Sequence, residues 1–315
     1  MTSLADIIES DEPLSMVVQG GGMRGTYSIA VLAELDSLGF RDRFENIWAT
    51  SAGAMNAAYF LAGQAGRGID VYTHKLSTKK FINLRRLRKI IDIDYLVDDI
   101  MLGGKTLDQG LFKKTKTHLH VGVTSARSGQ LEWGGNRRES WSFMETLRAT
   151  AALPIVYGTE VILGNDSFVD GGLVQSLPVP YAVSQKPKNL LVVMTKPLDF
   201  VADKPGRIEG CVTRRLGKMK RHSPAVVELL GRFEQHLESA MEMISLGMSY
   251  DGHTKIWAIA PSESIVSRLT SDRDRLIAAG ELGRKDARTA LLGIRSPSVA
   301  SRPLALGDNV PVLAF

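Results

Sequence analysis

Three short runs of residues carry the groups that acyl transfer requires: a nucleophile, a base and backbone donors for an oxyanion. Ala49-Thr50-Ser51-Ala52-Gly53 follows the strand-like run from Phe44 to Thr50 and leads into an alanine-rich stretch through Leu61. A serine at such a strand-to-helix turn has its hydroxyl thrust away from the backbone, beside a helix N-terminus that favours developing negative charge. The run matches G-x-S-x-G with alanine in the first position. The competing reading is a serine that caps an ordinary helix.

Gly20-Gly21-Gly22-Met23-Arg24-Gly25 is the second run. Consecutive glycines after a strand expose N–H groups, because no Cβ shields them from a ligand. The same letters fit the dinucleotide pattern G-x-G-x-x-G, which calls for an acidic residue at the end of the second strand. That strand ends in Ala-Thr-Ser-Ala-Gly, and Asp42 and Glu45 stand before its end. The third run, Asp170-Gly171-Gly172, follows a short strand from Ser167 to Val169. Glycines behind an aspartate leave room for its carboxylate to reach another loop, although a D-G pair also marks simple turns.

The elements that must position these runs are legible as strands and helices in alternation. Leu14 to Gln19 reads as a buried strand, followed by Tyr27, Ala30, Val31, Leu32, Leu35 and Leu38 at helical spacing, with Gly39 as a C-terminal cap. Strand, tight turn and helix then recur around Ser51, which indicates α/β layering. Thr117 to Thr124 and Gln130 to Trp133 predict adjacent strands across the turn Arg127-Ser128-Gly129. Ser142 and Glu145 have capping-box spacing and open a helix that Pro154 must terminate. Val161 to Leu163 and Ser167 to Val169 are short strands, Leu190 to Thr195 a strand buried on both faces, and Lys255 to Ala260 one more. Helices are expected from Ser223 through Ile244 and from Arg275 to Leu292.

The sequence of 315 residues is 44% apolar and 23% charged, ordinary for a folded globular chain and unlike a disordered one. Lys and Arg number 39 against 34 Asp and Glu, a net charge of +5 that suits anionic surfaces or acidic ligands without selecting either. Cys211 is the single cysteine, so an intrachain disulfide and a four-cysteine zinc site are excluded. Asp6, Glu9, Asp11 and Glu12 occupy the region where a signal peptide has a basic start, and no apolar run reaches the ~20 residues of a membrane span. The expectation is a cytoplasmic protein that touches membranes from outside.

The order of glycine-rich loop, serine elbow and late Asp-Gly-Gly resembles the patatin-like phospholipase family over about residues 14–200. Arg148-Ala149-Thr150-Ala151-Ala152-Leu153-Pro154 is similar to the family's small-residue helix before the aspartate. The resemblance implies a three-layer α/β/α fold with a central, mainly parallel sheet. It divides the chain into a catalytic domain, 14–200, and a C-terminal accessory region, 201–315, packed on it. It implies that Ser51 attacks an ester carbonyl and Asp170 accepts its proton, with no histidine. The Gly20–Gly25 loop then forms the oxyanion hole, with the amides of Gly21, Gly22 and Met23 as donors and Arg24 supporting the loop or adding positive potential. Gly53, Gly171 and Gly172 match the family pattern, whereas Ala49 replaces its usual glycine, a change compatible with negative φ. Substrates would be phospholipids or other fatty-acyl esters, with no metal and no organic cofactor.

Other readings stay open at this level. A Ser-Asp-His triad would draw on His222, His236 or His253. A non-catalytic lipid-binding protein on the same fold is a second alternative. His118 and His120 face one side of a strand, but no acid or cysteine cluster joins them and a structural role is expected. Lys79, Lys80, Arg85, Arg86, Arg88 and Lys89 surround Phe81, Ile82, Leu84 and Leu87. They suggest either a basic amphipathic helix on an anionic bilayer or a solvated helix paired with Asp92, Asp94, Asp98 and Asp99. Arg214, Arg215, Lys218, Lys220 and Arg221 add a second basic stretch, and no nucleic-acid-binding motif accompanies either.

Overall fold

The apolar runs of the sequence become strands covered on both faces. The computed structural model describes residues 12–86, 89–199, 222–230 and 237–291. Within them one sheet contains β1 (Leu14–Val18), β2 (Phe44–Thr50), β3 (His118–Ser125), β4 (Leu131–Gly135), β5 (Val161–Leu163), β6 (Asp166–Asp170), β7 (Asn189–Val193) and β8 (Lys255–Ile259). The bonded path is β5-β6-β3-β2-β1-β7-β8, with β4 paired to β3. β3, β2, β1, β7 and β8 run parallel to one another along this path, whereas β4 and β6 pair antiparallel with β3 and β5 antiparallel with β6.

Side-chain alternation sends each strand into two cores. Leu14, Met16 and Val18 of β1 enter one core with Ile47 and Ala49 of β2. Val17 and Trp48 enter the other, with Leu190 and Val192 of β7. The first core is covered by α1 (Gly25–Ser37), α2 (Ala52–Leu61) and α3 (Phe143–Thr150). The second is covered by Val179–Ser184 and α4 (Leu237–Leu246). The result is the expected three-layer α/β/α arrangement. α5 (Arg273–Leu291) packs along α1, where Tyr27 donates a hydrogen bond to Asp286 at 3.0 Å and Glu34 pairs with Arg284 and Arg288. Ser142 caps α3 as expected, its Oγ accepting from the Glu145 amide at 3.5 Å.

β3 determines where the chemistry sits. Its residues 118–122 pair with β2, its residues 123–125 with β6, and its residues 120–124 with β4. A strand has two edges, and β4 shares Gly122 with β2 and Val123 with β6, so β2 and β6 lie on the same edge. They approach end to end: Thr50 closes the β2 ladder opposite Gly122, and Asp170 closes the β6 ladder opposite Val123. The residue after Thr50 and the last residue of β6 therefore meet.

The basic run 79–89 is not the helix expected of it. Flanking segments Val71–Leu76 and Tyr95–Gly103 are π-helical. Residues 79–86 between them form turns and an antiparallel bridge joins Ile82 to Ile91, with 87 and 88 outside the described residues. Phe81 and Ile82 turn inward and are buried, which takes the apolar face of any helix out of use. The anticipated ion pairs do form, Lys80 with Asp99 at 2.9 Å, Arg86 with Asp92 at 3.6 Å, and Lys89 with Asp94. The single helix expected from Ser223 is described as Pro224–Leu230 and α4, with 231–236 outside the described residues. The basic stretch Arg214–Arg221 and Cys211 also lie outside them.

At the β2–β6 junction, a Cβ on Gly171 would lie 2.1 Å from the carbonyl oxygen of Gly122. Gly171→Ala is expected to destabilise the fold by roughly 3 kcal/mol, because only a backbone shift relieves the clash. Gly66→Ala, with nothing within 4 Å of the added methyl, should stabilise by up to about 1 kcal/mol. Urea denaturation of the two variants beside wild type measures this contrast.

Candidate active site

Beyond Thr50 the chain must leave the sheet at once, because β6 occupies the next position on that edge. It does so at Ser51, whose φ of 54° and ψ of −136° lie in a region that costs a non-glycine residue ~1–3 kcal/mol. Ser51 stands at the N-cap position of α2 yet makes no side-chain capping bond, so the ordinary-cap reading does not hold. Its Oγ instead donates to Asp170 Oδ2 at 2.9 Å. Ala49 remains in the strand without positive φ, which is why a methyl is accepted there. Gly53 has no such latitude: a Cβ on it would lie 2.4 Å from the Val18 carbonyl oxygen, where α2 presses on β1.

Asp170 is held from several sides. Its Oδ1 accepts the Gly172 amide at 2.7 Å, its own amide donates to Ala152 O at 3.2 Å, and its carbonyl accepts Thr124 Oγ1 at 2.9 Å. Thr150, at the end of α3, ties the two halves together. Its Oγ1 accepts the Ser51 amide at 2.8 Å and donates to Gly122 O at 2.6 Å. Burial pushes the Asp170 carboxyl from its ordinary 3.8 up to about 6. The Gly172 amide, the Ser51 hydroxyl and the positive charge of Arg268 oppose a further rise.

The glycine-rich loop lies across this pair. Gly22 has φ +57°, and a Cβ on Gly20 would sit 2.9 Å from that of Ser51. The Gly20 amide is engaged by Ser176 O at 3.3 Å, and the Met23 amide by Arg268 O at 3.1 Å. Met23 is therefore not an available oxyanion donor, contrary to the sequence-based expectation. The amides of Gly21 and Gly22 have no backbone acceptor among the described residues, and both glycines line the cavity that holds Ser51. Thr195 supports the loop from behind, its Oγ1 3.0 Å from both Gln19 Oε1 and Gly20 O. The Arg24 guanidinium packs against Gly21, and burial with the nearby charge of Arg268 lowers it to about 9. Gly25 starts α1 directly beneath Tyr72, where a Cβ would lie 2.2 Å from the phenol oxygen.

The cavity has a volume of about 320 Å³ and runs from Ser51 and Asp170 along Met55, Leu76, Phe81, Leu96 and Ile155. Its mostly apolar lining suits an apolar chain, and Ser51 and Asp170 are among the residues that line it.

None of the described histidines joins the pair. His222 is buried, with Nε2 3.1 Å from Pro154 O and Nδ1 3.5 Å from Glu160. His253 reaches Lys186 O in an exposed turn, and His236 lies outside the described residues. His118 and His120 lie ring beside ring at a 35° tilt, burial holds His120 down at about 3, and no metal-ligating cluster occurs among the described residues. No described helix is long and apolar enough to cross a membrane.

Two supporting residues escaped the sequence reading. Thr150 was visible only as one letter of a small-residue run, though a threonine among buried alanines at a helix end is a usable signal. Arg268 sits in a plain polar loop with no motif to announce it.

A serine at a strained strand-to-helix elbow, bonded to a buried carboxylate on a mixed α/β/α sheet, defines an α/β protein of the serine-elbow class. The family model of the patatin-like phospholipases matches residues 16–183, a little over half of the chain, and the chain belongs to that family. It is similar to the uncharacterised protein YjjU of Escherichia coli (strain K12), at 29% identity over 194 residues. That match covers 58% of this chain and 52% of YjjU, so the chain spans about half the length of this relative. It also resembles the crystal structure of VipD from Legionella pneumophila, with a TM-score of 0.52 over 90% of this chain and 67% of VipD. At 11% identity that likeness shows the fold alone.

The raised carboxyl has a consequence for stability. Because its folded value of about 6 exceeds the ordinary 3.8, Asp170 favours the fold fully below about pH 4. That contribution is lost as pH rises through about 6, leaving an ionised group that costs about 3 kcal/mol at neutral pH. Asp170→Asn is expected to be more stable than wild type at neutral pH by up to that amount, with the difference vanishing below about pH 4. Denaturant unfolding across this pH range measures it, and a less stable variant at neutral pH would contradict the raised carboxyl.

Proposed function

We propose that this chain is a serine acyl-ester hydrolase acting on phospholipids or lysophospholipids through Ser51 and Asp170. The observation that carries the reading is the 2.9 Å hydrogen bond from Ser51 Oγ to Asp170 Oδ2 at the head of an apolar cavity. A base near neutrality transfers a hydroxyl proton better than an ordinary carboxylate, and burial gives Asp170 that strength. Ser51 Oγ bonds to the acyl carbon while its proton passes to Asp170. The carbonyl oxygen becomes an oxyanion facing the amides of Gly21 and Gly22. Collapse of the tetrahedral intermediate expels the alcohol, which takes the proton from Asp170. Water then attacks the acyl carbon, losing a proton to Asp170. The bond to Ser51 Oγ breaks as Asp170 returns that proton to it, releasing the fatty acid and restoring both side chains. No step calls for a metal or an organic cofactor.

Ser51→Ala and Asp170→Asn are each expected to lower kcat/KM for lysophospholipid hydrolysis by at least about 100-fold while the proteins stay folded. In wild type the acid limb of kcat/KM should fall near pH 6, since only ionised Asp170 accepts the proton. Fatty-acid release against pH measures both, and full activity in Ser51→Ala would sink the assignment.

A peripheral membrane contact is part of the same reading. The loop that sends Phe81, Ile91 and Ile93 into the cavity leaves Leu84 70% exposed, beside exposed Lys79, Lys80 and Arg85. An apolar tip ringed by cations suits an anionic bilayer. Leu84→Glu is expected to reduce co-sedimentation with phosphatidylglycerol vesicles about tenfold, without changing hydrolysis of a soluble short-chain ester.

A further inference from the structure

Arg268 and Asp170 are the two charged residues among those lining the cavity. Arg268 thus gives an otherwise mostly apolar cavity one cationic group beside the carboxylate. The position of Arg268 is fixed by its backbone. Its carbonyl holds the Met23 amide at 3.1 Å and lies 2.7 Å from where a Gly22 Cβ would stand. Arg268 thus lines the cavity together with the glycine loop, and its charge acts on Asp170.

Two further cations sit behind it. Arg24 packs against Gly21, and buried Lys196 follows Thr195 under the loop. Burial and mutual opposition lower both, Arg24 to about 9 and Lys196 to about 7. Arg268 is the one cation lining the cavity, whose other lining is mostly apolar. A glycerophospholipid has the matching polarity, with an anionic phosphate a few bonds beyond its acyl ester. A guanidinium holds a phosphate with two parallel hydrogen bonds, which an ammonium does not.

We infer that Arg268 binds the phosphate of the lipid whose ester lies at Ser51, so that the site selects phosphate-bearing acyl esters over neutral ones. The inference rests on the reading of Ser51 as nucleophile, and it assigns a specificity role to a residue outside the family-matched segment 16–183.

The test compares lysophosphatidylglycerol with the monoacylglycerol of the same chain, both in mixed micelles, well above the titration of Asp170. Arg268→Gln keeps the backbone carbonyl and should lower kcat/KM on the phospholipid about 30-fold, the worth of one charge-assisted pair, and on the neutral ester less than about 3-fold. Arg268→Lys should recover part of the loss. Equal loss on both substrates would assign Arg268 a purely structural role and overturn the inference, as would no loss on either. A binding arm is independent of turnover: Ser51→Ala protein should bind hexadecyl phosphate more tightly than hexadecanol, and Ser51→Ala/Arg268→Gln should lose that preference. Inorganic phosphate bound as tightly as hexadecyl phosphate would show a free-anion site and overturn the lipid assignment. Preference for hexadecyl phosphate with turnover persisting in Ser51→Ala would sink the nucleophile reading and leave Arg268 as an anion site.

Discussion

Two strands that share one edge of a third cannot overlap, and the arrangement around Ser51 follows from that exclusion. β2 and β6 divide the edge of β3 between Gly122 and Val123, each ending where the other begins. The chain after Thr50 has no place in the sheet and must turn out of it, which forces the strained backbone at Ser51. The same boundary brings Asp170 to the elbow from the opposite direction. The glycines near this junction answer to it directly, since a methyl on Gly171 would meet the Gly122 carbonyl oxygen and one on Gly122 would meet the Thr50 side chain. Thr150 then bridges the seam, bonding the first residue beyond β2 to the β3 carbonyl at the boundary.

Burial of Asp170 is the second consequence. The meeting point lies inside the molecule, so the carboxylate is deprived of water and becomes a stronger base than it would be on the surface. Two donors, the Gly172 amide and the Ser51 hydroxyl, and the charge of Arg268 limit how far it rises. The balance trades fold stability for basicity, a compromise common where reactive groups are gathered. The strained φ of Ser51 belongs to the same compromise, and the extensive packing of α2 against β1 and β2 supports it.

Much of this was readable in the linear chain, and the unreadable part has a common character. The β1, β2 and β7 strands, the α1 and α2 helices and the capped α3 follow from apolar periodicity and turn chemistry, which are local properties. Ser51, Asp170 and the glycine loop stand out because unusual backbone geometry leaves a trace in residue type. The loop at 79–93 misled because basic and apolar residues alternate there as in an amphipathic helix, whereas Phe81 and Ile82 are drawn into the cavity wall. Met23 was expected to offer a free amide, and only the distant Arg268 carbonyl removes it. A contact between residues so far apart in the chain is invisible to spacing, as is the meeting of β2 with β6.

The bond from the Met23 amide to the Arg268 carbonyl also bears on the order in which the protein becomes able to act during synthesis. Ser51, Asp170 and strands β1 to β6 all precede residue 171 in the chain. Besides Ser176 and Thr195, the glycine loop is held by the carbonyl of Arg268, almost a hundred positions beyond Asp170. A nascent chain thus carries its serine and aspartate for much of translation with one clamp of its oxyanion loop still missing, and the clamp closes when the C-terminal segment folds back.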